Sequence, residues 1–173
     1  MIAIIGRPNS GKSAKAEEMA LKTGLKPYYL ATMKVMDESG QKRVQKHREM
    51  RAGKGFATLE IPYRIEEAID LMDDPKNSVL LLECAANLVG NAMHEERWYE
   101  ILMRGEEQAA DRFVRYVTDM ILQLNNKVGT LIVVSSEYEL DEADDAETAL
   151  YKRLLHEVNE SIRSLSLTTM EVM

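Results

Sequence analysis

The sequence predicts an α/β fold of three layers, a mainly parallel sheet with helices on both faces. Three observations predict it. Strand-like and helix-like segments alternate along the chain. Two runs, Ser78-Val79-Leu80-Leu81-Leu82-Glu83 and Thr130-Leu131-Ile132-Val133-Val134-Ser135, are almost wholly apolar, as strands covered on both faces must be. The chain also opens on a short apolar strand, Met1 to Ile5, that leads into Gly6-Arg7-Pro8-Asn9-Ser10-Gly11-Lys12-Ser13 and then into a helical pattern. That stretch is G-x-x-x-x-G-K-S, in the strand–loop–helix context that makes it a phosphate-binding loop, or P-loop.

The loop carries its own chemistry. Its glycines let the backbone curl so that N–H groups converge on phosphate oxygens. The helix behind it adds a positive N-terminal end. Lys12 is placed to reach the β- and γ-phosphates of a nucleotide, and the Ser13 hydroxyl to hold Mg2+. Gly6, Arg7, Pro8, Asn9, Ser10, Gly11, Lys12 and Ser13 are therefore the expected phosphate-binding set. The fold is expected to be a P-loop nucleotide-binding fold, with ligands beyond the C-terminal ends of the strands. A ligand-free glycine turn is the alternative, and the Lys-Ser pair in register argues against it.

Composition limits the rest. The 173 residues suit one domain, residues 1–173. The single cysteine, Cys84, excludes an intramolecular disulfide and fits a reducing cytoplasm. The first residues form a strand rather than a secretory signal, and no apolar run approaches the ~20 residues of a membrane span. A net charge of −7 argues against general nucleic-acid binding. The eleven methionines read as adaptable core filling.

Taken in order, the first helix covers residues 12 to 22 and stops at Gly24. Tyr28 to Thr32 is the second strand. A charged helix runs from about Asp37 to Arg51, interrupted early by Gly40, and Ala52 to Gly55 is a loop. Phe56 to Ile61 alternates and ends at Pro62, as an edge strand does. Ile65, Ala68, Ile69 and Met72 have helical spacing. A long helical region covers residues 97 to 125, with a break near Gly105 and an apolar stripe of Phe113, Val114, Val117, Ile121 and Leu124. Glu139 to Asp145 is an acidic loop. Leu150, Leu154, Leu155, Val158 and Ile162 mark the last helix, and Leu167 to Met173 a final strand.

Two further features invite a chemical reading. Glu83 ends the most apolar strand. A carboxylate there suits Mg2+ beside Ser13, although it also reads as a polar residue closing a strand. Cys84 next to it reads as a buried structural thiol. On the charged helix, Arg43, His47 and Arg51 share one face at i, i+4 and i+8, flanked by Lys46. Such a cluster suits phosphates, and its cations favour a neutral His47 able to attack phosphorus. As a pattern alone it more often describes a solvated charged face. His94 and His156 read as surface residues.

Together these segments resemble the adenosylcobinamide kinase/adenosylcobinamide-phosphate guanylyltransferase family of cobalamin biosynthesis. The resemblance rests on the N-terminal P-loop, Tyr29-Leu30-Ala31-Thr32, Asp37, Arg43, His47-Arg48-Glu49-Met50-Arg51, and Phe56 to Glu60 with Phe56 in place of a tryptophan. Leu81-Leu82-Glu83-Cys84 and Leu88 to Asn91 complete it. It implies a nucleotide-dependent kinase and nucleotidyltransferase that uses GTP or ATP with Mg2+. One activity phosphorylates the hydroxyl of a cobinamide-type corrinoid. The other transfers GMP through a histidine phosphoramidate. His47 and Lys12 would be the catalytic residues. Arg48, Arg51, Glu60 and Glu83 would join the P-loop in binding nucleotide, and Ser13 and Glu83 would be the metal ligands. A homo-oligomer, trimeric in the family, is implied as well. The residues also leave open a small-molecule kinase without guanylyl transfer and a non-catalytic nucleotide-binding protein.

The C-terminal third departs from the family pattern. Where the family carries Glu-Val-Gly-x-Gly and then proline, this chain has Glu137-Tyr138-Glu139-Leu140-Asp141. Glu137, Arg153 and Asn159 still look like family positions. The missing glycines are expected to change how closely the backbone approaches a ligand. The acids from 141 to 145 are expected to repel phosphates.

Overall fold

The alternation read from the sequence becomes one six-stranded sheet with helices on both faces in the computed structural model of the chain. The structure describes residues 1–34 and 38–172. The side chains of Ser39, Arg43, Lys46, His47, Met50 and Glu96 lie outside the described set. In chain order the first elements are β1 (Ile2–Gly6), α1 (Lys12–Lys22), β2 (Lys26–Ala31), α2 (Glu38–Arg51) and β3 (Ala57–Glu60). Two short 3-10 turns, Ile65–Leu71 and Pro75–Asn77, lead into β4 (Ser78–Glu83). Then come α3 (Ala85–Met93), α4 (Glu96–Met103), α5 (Ala109–Lys127), β5 (Thr130–Ser136), α6 (Ala146–Leu165) and β6 (Thr168–Val172). The strand order is β3-β2-β4-β5-β1-β6, and every pairing is parallel.

Residue alternation along each strand builds the two outer layers. Ala3, Ile5, Leu80, Leu82, Leu131 and Val133 turn to one face, against Leu88, Phe113, Ile121 and Leu155 of α3, α5 and α6. Ile4, Val79, Leu81, Ile132 and Val134 turn to the other, against Ala16 and Ala20 of α1. The two faces alternate because successive side chains of a strand point to opposite sides. Each such leucine or isoleucine, fully buried, contributes about 2–3 kcal/mol through lost water contact.

Local chemistry sets the boundaries. α1 stops at Thr23, whose Oγ1 donates to Ala20 O at 2.7 Å, and Gly24 at φ 70° turns the chain away. α2 is continuous from Glu38 to Arg51, so Gly40 does not interrupt it; it is buried inside the helix. The segment expected as a helix from Ile65 is instead a 3-10 turn. Ile65 and Ala68, three apart, are its buried pair, which suits three residues per turn. The long helical region is two helices, parted by Gly105 at φ 64° and Gln108 at φ 62°.

Gly129, just before β5, has no room for a side chain. A Cβ there would lie 2.4 Å from the Lys76 carbonyl oxygen, while its N–H donates to Pro75 O and Ser78 O. Gly129→Ala is expected to lower unfolding stability by about 2 kcal/mol or more, since backbone rather than a side chain must move. Urea denaturation checks this, and an unchanged midpoint contradicts it.

Candidate functional site

The site begins where β1 ends. A Cβ on Gly6 would lie 1.9 Å from Val172 O, so β6 can pack there only against glycine. Residues 7–11 then turn sharply, with Asn9 at φ 61° and Gly11 at φ 88°. α1 follows with no side-chain cap and no acid in its first turn, which leaves its positive end open to an anion. Lys12 is only 6% exposed; its ammonium donates to Arg7 O and lies 3.5 Å from Ser10 Oγ. Burial lowers its pKa, against the opposing pull of Glu83.

Glu83 reaches this loop by an indirect route. β5 lies between β4 and β1, so strand neighbourhood alone would leave Glu83 too far away. α1 crosses the sheet and packs on both β4 and β5. Ser13 Oγ therefore donates to Glu83 Oε1 at 2.8 Å. The other oxygen, Oε2, is buried without a partner among the described residues. Burial pushes the carboxyl up to about 7, while the Ser13 hydrogen bond and Lys12 pull it down. Thr32, fully buried, anchors the strand end. Its Oγ1 accepts from Cys84 N and donates to Cys84 O, both at 2.9 Å. Asn91 Nδ2 donates to Thr32 O and Pro62 O, each at 2.7 Å. The Cys84 thiol is pushed up to about 12, mainly by burial and then by Glu83, and is inert at neutral pH.

Arg51, at the end of α2, packs on β2. It is 7% exposed, and its guanidinium sits 3.4 Å over the Tyr29 ring. Its Nε and Nη1 have no partner among the described residues. Burial raises the Tyr29 hydroxyl pKa, and Glu83 adds to the shift. Arg51 thus faces the interior rather than a solvated surface. Arg48 and Glu60, both expected to bind nucleotide, form an exposed ion pair with each other. An open cleft runs between Arg48, Arg51, Gly53, Gly55, Phe56 and Thr58. Position 47 lies on α2 one turn before Arg51. The side chains of His47, Arg43 and Lys46, and the whole of Asp37, lie outside the described residues.

The divergent loop after β5 is tied to the same edge. Glu137 N donates to Gly6 O at 3.0 Å, and its carboxylate accepts from Arg163 Nη2 at 3.1 and 3.2 Å. Asn159, fully buried, donates to Ser136 O at 3.0 Å, whereas Arg153 is exposed. Arg7 pairs with Glu139 at 2.7 Å, at the surface. The acids expected to repel phosphates are partly engaged elsewhere. Asp144 pairs with Lys152 at 2.7 Å, and Asp145 caps α6 by accepting from Thr148 N at 2.7 Å. His94 is exposed, as expected, yet lies 2.7 Å from Glu147 and stacks on Tyr99.

Sequence reasoning missed Glu17 and Lys54. Glu17, on α1, is 1% exposed and accepts from Lys54 Nζ at 2.7 Å. A signal was present, because Glu17 is four residues after Ser13 and shares its helix face. Among the described residues, no group of three or more His, Cys, Asp or Glu side chains is gathered to hold a metal. Ser13 and Glu83 instead offer a hydroxyl and a carboxylate with one uncommitted buried oxygen. That donor set fits Mg2+, which would take its remaining ligands from water and phosphate oxygens.

The parallel sheet, the glycine loop at the end of β1 and the helix behind it define a P-loop nucleotide-binding protein. The CobU family model, described as cobinamide kinase / cobinamide phosphate guanyltransferase, matches residues 2–173, and the chain belongs to that family. No curated protein matches significantly. Among solved structures, the chain is similar to a prototypical ATPase from the type III secretion system of pathogenic bacteria, at TM-score 0.61 and 14% identity. The match covers 99% of this chain and 50% of the ATPase, so the chain spans half that protein's length, and the likeness shows the fold alone. The RadB recombinase matches at TM-score 0.44 and 13% identity, over 90% of this chain and 70% of its own. The DnaC helicase loader matches at TM-score 0.38 and 17% identity, over 99% and 77%.

The raised Glu83 carboxyl has a consequence for metal binding. A cation held by Glu83 would need the carboxylate, so below about 7 it would compete with a proton. Affinity for Mg2+-nucleotide is expected to fall as pH drops from 8 to 6, approaching about tenfold per unit at the acid end. Glu83→Gln should weaken binding and flatten the profile. Calorimetry in buffers of different ionisation enthalpy should show proton release near neutrality; binding independent of pH contradicts this.

Proposed function

We propose that the protein is a bifunctional adenosylcobinamide kinase and adenosylcobinamide-phosphate guanylyltransferase of cobalamin biosynthesis. The observation that carries this reading is the meeting of Ser13 with Glu83 beside Lys12, in a chain matched by this family over residues 2–173.

In the first reaction the corrinoid hydroxyl attacks the γ-phosphorus of a nucleoside triphosphate. The bond to the bridging oxygen breaks, the nucleoside diphosphate leaves and the hydroxyl proton is released. Loop N–H groups and Lys12 hold the phosphates and offset the charge that builds on them. Ser13 and Glu83 would hold Mg2+, which would supply further charge neutralisation.

In the second reaction a neutral His47 attacks the α-phosphorus of GTP and pyrophosphate leaves. The phosphate oxygen of cobinamide phosphate then attacks the same phosphorus, and the imidazole is regenerated. Arg51 is suited to hold phosphate near His47, because its buried guanidinium has two nitrogens without a partner among the described residues. Burial strengthens such a contact, since little water screens it.

A kinase that has lost guanylyl transfer is the second reading. It is favoured by the loop after β5, which lacks the family's glycines and places Glu139 on Arg7 of the P-loop.

Incubation with GTP labelled at the α-phosphate separates the two readings. The first expects a protein adduct that is acid-labile and alkali-stable, absent from His47→Ala. Phosphorylation of cobinamide with no adduct supports the second. Lys12→Ala is expected to abolish both reactions by on the order of 100-fold or more in rate, and retention of either one counts against both readings.

A further inference from the structure

α1 carries a charge where a helix buried against a sheet usually carries none. Glu17 is 1% exposed and sits among Ala16, Ala20 and the sheet face. An ionised carboxylate in such a place loses several kcal/mol of hydration unless it is paired. Its partner comes from far along the chain. Lys54 Nζ donates to Glu17 Oε2 at 2.7 Å, across a sequence separation of 37 residues. Glu17 Oε1 is buried and has no partner among the described residues.

Lys54 sits in the loop that closes α2. Gly53 at φ 75° and Gly55 at φ 82° flank it, and its own N–H donates to Arg51 O at 3.0 Å. The ion pair therefore grips the last turn of α2 through backbone. The same turn presents Arg51 to the Tyr29 ring. Two contacts, Lys54 with Glu17 and Arg51 with Tyr29, thus dock the end of α2 onto α1 and β2. α1 begins with Lys12 and Ser13, one turn before Glu17, and position 47 lies one turn before Arg51. A pair of apolar side chains would hold two helices together at least as firmly, because desolvation offsets much of the gain from a buried ion pair. What the charged pair adds is direction, since a hydrogen-bonded pair fixes orientation where a greasy contact tolerates sliding.

We propose that Glu17, through Lys54, is a positioning residue that sets the helix bearing His47 against the P-loop, so that a nucleotide held by the loop presents its α-phosphorus in line with that histidine. This rests on the reading of His47 as the nucleophile. Glu17 touches no reacting atom in this role. Its effect falls on the guanylyl step rather than on capture of the nucleotide, because Lys12 and Ser13 hydrogen-bond to Arg7, Ser10 and Glu83 rather than to the pair.

The test uses the full chain with Glu17→Gln, Lys54→Met, the double variant and Lys54→Arg. Three quantities are measured: the single-turnover rate of adduct formation from α-labelled GTP, the Kd of a non-hydrolysable GTP analogue, and the melting temperature. Each single variant is expected to slow adduct formation by about tenfold or more, as small misplacements of reacting groups do, with Kd little changed. The double variant should be no slower than the worse single one, and Lys54→Arg should recover most of the rate. A variant that melts early is measured well below its transition, and Lys54→Arg serves as the folded comparison. Unchanged adduct rates in Glu17→Gln and Lys54→Met overturn the proposal, as do rates that fall only in proportion to weaker binding. No adduct in the unaltered protein overturns the His47 reading and this inference with it.

Discussion

The hydrogen bond from Ser13 to Glu83 is the constraint on which the rest of the structure turns. The two residues start from strands that are not neighbours, with β5 between them. Only a helix lying flat across the sheet can close that distance. α1 lies flat because the residues beneath it are small: Ala16 and Ala20 are fully buried against Val79, Leu81, Ile132 and Val134. The other end of the contact is held by Thr32 and Asn91, which tie the exits of β2, β3 and β4 together. A carboxylate at low dielectric with one spare oxygen is thus created by packing. Its chemistry belongs to the sheet as much as to the motif.

Much of this was legible in the sequence, for identifiable reasons. The P-loop could be read because its glycines and Lys-Ser pair answer to one steric and one electrostatic demand. β4 and β5 could be read because strands buried on both faces admit almost no polar residue. Strand order could not, since nothing in Ser78 to Glu83 says that β5 will separate it from β1. The surroundings of Arg51 are hidden for a related reason. Helical phase puts it on a charged face but does not say what lies opposite, and here that is an aromatic ring that accepts a guanidinium. Glu17 was passed over because an acid between alanines on a helix looks like a solubility device until its face is known to be covered. The Ile65 segment was read as a helix because spacings of three and four are hard to tell apart over a single turn.

The loop after β5 shows how a fold keeps its connections while changing the residues that make them. Its first residue, Glu137, still reaches back to Gly6 through backbone, and Arg163 binds both Glu137 and Glu171 of β6. Arg163 thus links that loop to the edge strand beside the P-loop. The stretch has no glycine, and two of its acids are held in ion pairs, Glu139 with Arg7 and Asp144 with Lys152. Two of the five acids from 139 to 145, Glu139 and Asp144, thereby have a cation beside them.

A sheet in which every strand runs the same way has two unlike ends. Gly6, Thr32, Glu60, Glu83 and Ser136 all fall at or just past the C-terminal one. At the other, Ser78 Oγ donates to Asp74 O at 2.6 Å, Lys76 Nζ to Asn126 O at 2.6 Å, and Tyr28 OH lies 3.3 Å from Asp73. One end carries the P-loop, and the other locks turns. Selection for what the protein binds and selection for whether it folds therefore act on opposite rims of the molecule. Residues 138–145 can therefore change on one rim while the far rim goes on folding the chain in the same way.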